Sequence, residues 1–137
     1  MAYPNGCRYV GCFINDKRHG YGKCWYPNGL GIYTGYWKDN KKHGRGTMRY
    51  ANGDVYEGEW MGDRPNGTGT LTMTEKGELY SGDFLNHEKH GRGMYKFKNG
   101  DVYEGGWKED VRHGNGLYMF AKNRGTCREM YYNGVPV

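Results

Sequence analysis

Apolar and polar side chains alternate with a period of two through most of this chain, which predicts strands and leaves no stretch with helical periodicity. In the run 33–37, Tyr33, Gly35 and Trp37 share one face, while Ile32, Thr34 and Tyr36 share the other. A second alternating run follows, with Gly46, Met48 and Tyr50 on one parity and Thr47 and Arg49 on the other. The same two runs recur along the chain. Tyr9, Tyr33, Tyr56, Tyr80 and Tyr103 each begin a Tyr-x-Gly-x-aromatic segment, at successive spacings of 24, 23, 24 and 23 residues. Ten residues after each tyrosine stands His19-Gly20, His43-Gly44, Asn66-Gly67, His90-Gly91 or His113-Gly114, with a further glycine two positions on. A third anchor closes each unit: Asn28-Gly29, Asn52-Gly53, Lys76-Gly77, Asn99-Gly100 and Arg124-Gly125. Each unit therefore reads as a hairpin: a strand, a loop ending in His-Gly, a second strand, and an Asn-Gly turn into the next unit.

The chain 1–137 reads as one array, with repeats starting near 9, 33, 56, 80 and 103 and an atypical cap at 126–137. The cap segment Cys127-Arg128-Glu129-Met130-Tyr131 lacks the leading tyrosine and the glycine, as expected of a terminal repeat. Residues Met1 to Gly6 resemble the tail of a preceding unit. Glycine weakens a strand, so its regular placement points to a compensating role. A ring from a neighbouring strand is expected to cover the backbone at Gly35, Gly58, Gly82 or Gly105. One unit buries too little to fold alone, so units must stack. At ~4.8 Å per strand, five hairpins give a rod roughly 50 Å long.

Composition supports an elongated shape. Mean hydropathy is −1.03 and 25 residues are glycine, yet 16% of the chain is aromatic. A thin aromatic spine reconciles these values. No apolar run approaches the roughly 18 residues that cross a bilayer, and the first residues lack the features of a secretory signal, which leads us to expect a cytosolic or cytoskeletal location. Asn66-Gly67-Thr68 then reads as a turn and not as a glycosylation acceptor. Cys7, Cys12, Cys24 and Cys127 form no Cys-x-x-Cys pair and read as free thiols, with Cys7 and Cys24 on the aromatic parity and Cys12 on the opposite one.

The segments Tyr56-Glu57-Gly58-Glu59-Trp60 and Tyr103-Glu104-Gly105-Gly106-Trp107, with Lys42-His43-Gly44-Arg45-Gly46, resemble MORN repeats (membrane occupation and recognition nexus). The likeness extends over five units, Tyr9 to Gly125. Two departures stand out: Arg64-Pro65-Asn66-Gly67 in the third unit and Phe84 in place of tryptophan in the fourth. The resemblance implies an all-β fold, an elongated single-layer antiparallel sheet of tandem hairpins. It also implies a structural, protein-interaction role. Family members include scaffolds of cilia, flagella, basal bodies and the parasite cytoskeleton, and others act beside lipid-kinase or methyltransferase domains or near membranes.

Candidate chemistry is sparse. The four histidines before glycine fall about 10 Å apart along one edge, too far apart to share a metal ion within one rod. A structural role is expected, the alternative being zinc that bridges two rods through histidines and cysteines. No Gly-x-Ser-x-Gly occurs, and Gly-x-Gly pairs such as Gly91-Arg92-Gly93 lack the following helix that phosphate binding requires. Glu57, Glu59 and Glu104 lie away from the spine, at the parity of Arg49 and Lys96, and are expected to pair with such cations across strands. No catalytic, cofactor or metal residue is assigned, and no nucleic-acid partner is expected. The formal charge of +5 matters through its placement. Lys17, Arg18, Lys41, Lys42, Lys89 and Arg112 are expected to stand on one edge as candidate contacts for an anionic partner, either anionic lipid or an acidic protein tail. Asp16, Asp39, Asp63, Glu88 and Asp110 in the same loops favour the plainer reading that the cations keep this edge soluble. The leading expectation is a non-enzymatic scaffold of a cytoskeletal or ciliary assembly such as a radial spoke, with self-association through open sheet edges. The alternative is a peripheral membrane module binding anionic phospholipids through the basic loops.

Overall fold

The computed structural model describes residues 6–137, so the likeness of Met1–Gly6 to a repeat tail falls almost wholly outside the described residues. Among the described residues twelve strands follow one another in chain order: β1 (Arg8–Ile14), β2 (Lys17–Tyr26), β3 (Gly31–Lys38), β4 (Lys41–Tyr50), β5 (Val55–Met61), β6 (Arg64–Met73), β7 (Glu78–Leu85), β8 (Glu88–Lys96), β9 (Val102–Lys108), β10 (Val111–Met119), β11 (Thr126–Tyr132) and β12 (Val135–Pro136). They form one sheet in sequential order, every neighbouring pair antiparallel. The only helix among the described residues is a single 3-10 turn at Pro27–Gly29. The all-β, single-sheet expectation holds. At the C-terminal side β11 places Tyr131 opposite Gly114, as β9 places Trp107 opposite Gly91.

The turn within each hairpin differs from expectation. It is two residues long, with both in the left-handed region: Asn15-Asp16, Asp39-Asn40, Gly62-Asp63, Asn86-His87, Glu109-Asp110 and Asn133-Gly134. Such turns match the right-handed twist of the strands they join, and Asn, Asp and Gly tolerate the positive φ they need. His-Gly lies further on, inside the second strand, where the register slips. In the second hairpin Gly35 pairs with Gly46 and Trp37 with Lys42, so the second strand carries the extra residues. Gly44, at φ +81°, turns that bulge.

One registered row explains the repeated glycines. Gly11, Gly22, Gly35, Gly46, Gly58, Gly69, Gly82, Gly93, Gly105 and Gly116 face one another across ten consecutive strands. The ring-on-glycine device is present, but the covered glycine is mainly the second of each hairpin. A Cβ on Gly46 would fall inside the Tyr33 ring, whereas a Cβ on Gly35 would meet the backbone at Gly46 and Arg45 first. The phenol of the first strand thus crosses to the second and lies flat on its backbone.

Candidate functional site

Tyr9, Tyr33, Tyr56, Tyr80 and Tyr103 are at most 1% exposed, although they sit on one face of a single sheet. Neighbouring rings cover them. The rings alternate as Phe13, Tyr9, Trp37, Tyr33, Trp60, Tyr56, Phe84, Tyr80, Trp107, Tyr103 and Tyr131, each meeting the next edge to face with centroids 5.0 to 6.0 Å apart. Ring quadrupoles favour that geometry. Polar tips are satisfied inside the ladder. The Tyr33 hydroxyl donates to the Tyr36 carbonyl at 2.9 Å, and the other four repeat tyrosines do likewise three residues on. Indole Nε1 of Trp37, Trp60 and Trp107 donates to the carbonyl of Gly22, Gly46 and Gly93, in the preceding hairpin. Phe84 has no such donor. Burial raises the pKa of Tyr33, Tyr56 and Tyr80 far above the usual phenol value.

The six cations expected along the edge divide into two groups. Lys17 and Lys41 are exposed. Arg18, Lys42, Lys89 and Arg112 instead lie across the rings, so the six do not stand together as one exposed row. The Arg18 guanidinium sits 4.5 Å from the centre of Trp37. The Lys42 ammonium lies 4.8 Å from Tyr26, 5.6 Å from Tyr33 and 5.5 Å from Trp60. Lys89 lies 5.8 Å from Tyr80 and 5.7 Å from Trp107, and Arg112 lies 4.9 Å from Tyr103. The physical reason is parity. Position 42 pairs with Trp37, and both side chains share the ring face, where a cation over π density is attracted. Carboxylates from following elements complete the pairing: Asp63 lies 3.8 Å from Lys42, Asp110 lies 3.6 Å from Lys89, and Glu129 lies 3.9 Å from Arg112. Burial lowers the Lys42 pKa, and Asp63 partly opposes that shift.

A backbone clamp lies beneath these pairs. The N–H groups of Arg18, Lys42 and Lys89 donate to Oδ1 of Asn40, Asp63 and Asp110, in the turn of the next hairpin. The N–H of each turn residue donates back to the carbonyl of its partner, at 3.0 to 3.2 Å. The third hairpin departs twice. Pro65 has neither an N–H nor a charge, and the turn residue facing it is His87, which donates its N–H to the Pro65 carbonyl at 2.9 Å. A missing donor on one strand thus meets a turn residue that lacks the side-chain oxygen found at the other clamps.

The exposed side of the hairpin tips carries a different strip. Next to each turn, the paired residues Ile14–Lys17, Lys38–Lys41, Met61–Arg64, Leu85–Glu88, Lys108–Val111 and Tyr132–Val135 follow one another across the sheet. Ile14, Met61 and Tyr132 are 54, 58 and 63% exposed, and Lys17, Lys38, Lys41, Arg64 and Lys108 are also exposed. Lys38, Arg64 and Lys108 did not figure in the sequence reading of this edge, although strand parity alone would have found them.

Among the described residues, no group of three His, Cys, Asp or Glu could hold a metal ion. His19, His43, His90 and His113 are half-buried at the bulges, and His113 Nδ1 accepts the Asn133 N–H at 3.1 Å. Cys7 and Cys24 are buried against the ladder, while Cys12 and Cys127 are exposed. Burial and the neighbouring Cys7 raise the Cys24 pKa. The expected cross-strand charge pairing forms for Glu59, which stands opposite Arg45, but not for Glu57, which faces Thr47 and Thr70, or Glu104, which faces Met94 and Leu117. Glu59 also accepts the Thr68 N–H at 2.6 Å and its hydroxyl at 2.9 Å, and these bonds, with a smaller contribution from Arg45, lower its pKa.

No curated protein matches the chain. The profile of the MORN repeat matches residues 9–31, 33–55, 56–75, 80–102 and 103–123. An all-β array of this repeat is a non-enzymatic scaffold type that serves protein or membrane interaction. Five matches in the phase of the ring ladder, covering most of the sequence, show that this chain belongs to the MORN repeat family.

Proposed function

We propose that this chain is a non-enzymatic scaffold that docks proteins of a cytoskeletal or ciliary assembly, with a radial spoke as one such setting. The carrying observation is the unbroken ladder from Phe13 to Tyr131, which fixes the spacing of every hairpin relative to the others. A ruler of this kind presents side chains at ~4.8 Å intervals over the array. Partners, axonemal proteins or further copies of the chain, would read the tips and sheet edges. The corresponding location is the cytoplasm and its cytoskeleton, including the axoneme or basal body. Proximity labelling in the native cell tests this: enrichment of axonemal or cytoskeletal proteins is the expected result, and a labelled set without them removes the reading.

A second reading draws on the tip strip. Exposed Ile14, Met61, Leu85 and Tyr132 beside Lys17, Lys38, Lys41, Arg64 and Lys108 form an amphipathic edge suited to the interface of an anionic membrane. Vesicles of phosphatidylcholine with 5–10% phosphoinositide at low salt should pellet the chain, and K17E/K41E/R64E should abolish pelleting. No pelleting of the unaltered chain would discard this reading and leave the protein-docking one standing.

A further inference from the structure

Arg18, Lys42, Lys89 and Arg112 each lie over rings of the ladder, while the third hairpin carries Pro65 at the same position. We infer that this hairpin holds an open cation seat, which takes a lysine side chain from a partner polypeptide.

The occupied seat one repeat earlier shows what fits. The Lys42 ammonium is surrounded by Tyr26, Tyr33 and Trp60 and reaches the turn residue Asp63. The corresponding residues one unit on are Tyr50, Tyr56, Phe84 and His87. Those four line a cavity of about 190 Å³ together with Pro65. Pro65 pairs with Trp60 as Lys42 pairs with Trp37, so its ring sits at the root of the seat and leaves the outer part unfilled. The volume equals about six liquid-water volumes, enough for the five heavy atoms of a butylammonium group. Solvent is close: the Lys42 side chain keeps 12% of its surface exposed in its own seat.

Electrostatics selects the guest. The ring faces of Tyr56 and Phe84 carry negative quadrupole density that no resident cation of this hairpin meets. The other charged groups lining the cavity are Lys89 and Asp110, 3.6 Å apart and mutually compensating. An entering ammonium can share the Asp110 carboxylate, whereas an entering carboxylate would face the ring faces. His87 at this turn leaves the seat without the acidic residue that Asp63 provides for Lys42, so its affinity is modest and suits one contact within a longer docked segment. The inference deepens the protein-docking reading and rests on it for the source of the lysine.

The test uses the whole chain and three probes: Ac-Gly-Gly-Lys-Gly-Gly-NH2, the same peptide with norleucine for lysine, and n-butylammonium. Side-chain NMR signals of Tyr56 and Phe84 report binding. The lysine peptide should shift both signals with a Kd at least fivefold below that of the norleucine peptide and of n-butylammonium. Pro65→Lys, which supplies the cation from within, should weaken the lysine peptide at least tenfold with the far-UV circular dichroism unchanged. Tyr50→Leu, which strips one wall, should weaken it threefold or more while leaving norleucine binding unaffected, and it serves if Pro65→Lys fails to fold. Equal affinity for lysine and norleucine, absence of shifts at millimolar peptide, or undiminished binding to folded Pro65→Lys would overturn the seat. Butylammonium binding as tightly as the peptide would overturn the polypeptide source alone. None of these outcomes depends on where the protein resides in the cell, so the cytoskeletal reading stands or falls separately.

Discussion

At the scale of single residues, glycines of the same type play unequal parts. Gly46 lies under the Tyr33 ring, and any side chain there displaces it. Gly29 has φ +66° and open space around it. Gly46→Val should therefore cost about 3 kcal/mol through overpacking, whereas Gly29→Ala should cost about 1 kcal/mol through backbone strain alone. Urea denaturation of the two variants measures the contrast. Ionisation gives a second residue-scale prediction. Burial holds Tyr33, Tyr56 and Tyr80 neutral in the folded chain, and Tyr118 is pushed up to about 12, chiefly by its hydrogen bond to Asp101. With the folded pKa above the unfolded value near 10, the unfolded chain releases these protons first, so stability falls as pH rises beyond about 10. The part of the tyrosinate absorbance that comes from the buried rings should then appear together with the loss of circular dichroism. Asp101 behaves oppositely. The Ala121 N–H and the Tyr118 hydroxyl lower its pKa, so its contribution is present above the ordinary carboxylate range and is lost as pH falls through the folded value.

At the scale of elements, the hairpin junctions differ in strength. The contact between β6 and β7 lacks three features found elsewhere: the indole bond, because Phe84 replaces tryptophan; the cation on the ladder; and the side-chain clamp, because Pro65 faces His87. Hydrogen exchange should be faster across β6 and β7 than across β4 and β5. Phe84→Trp should recover about 1 kcal/mol if its Nε1 reaches the Gly69 carbonyl as Trp60 reaches Gly46, and Trp60→Phe should lose a similar amount, both read by thermal unfolding. Much of this element scale was legible beforehand. The tyrosine phase, the strand parity and the placement of Cys7 and Cys24 on the ring face follow from spacing, because a period of two leaves each residue only two faces. Two matters were not legible. Parity does not say that a long cation folds back over rings, so Arg18, Lys42, Lys89 and Arg112 looked like solvent-facing charges. Nor does spacing reveal a bulge, so His-Gly looked like part of the loop when the two-residue turn had already closed.

At the scale of the whole molecule, strands add in chain order and contact mainly their neighbours in sequence. Stability is then a sum over adjacent hairpins, and the long axis grows with repeat number. Solution scattering should report an elongated particle about 50 Å or more in length, and a compact sphere would contradict the open sheet. The meander also dictates behaviour under tension. With strands crosswise to the long axis and their hydrogen bonds along it, a pull on the two termini loads one edge strand at a time. A hairpin occupying about 10 Å of the array would release roughly 75 Å of extended chain when it gives way. Under load the chain would therefore lengthen in discrete steps instead of snapping.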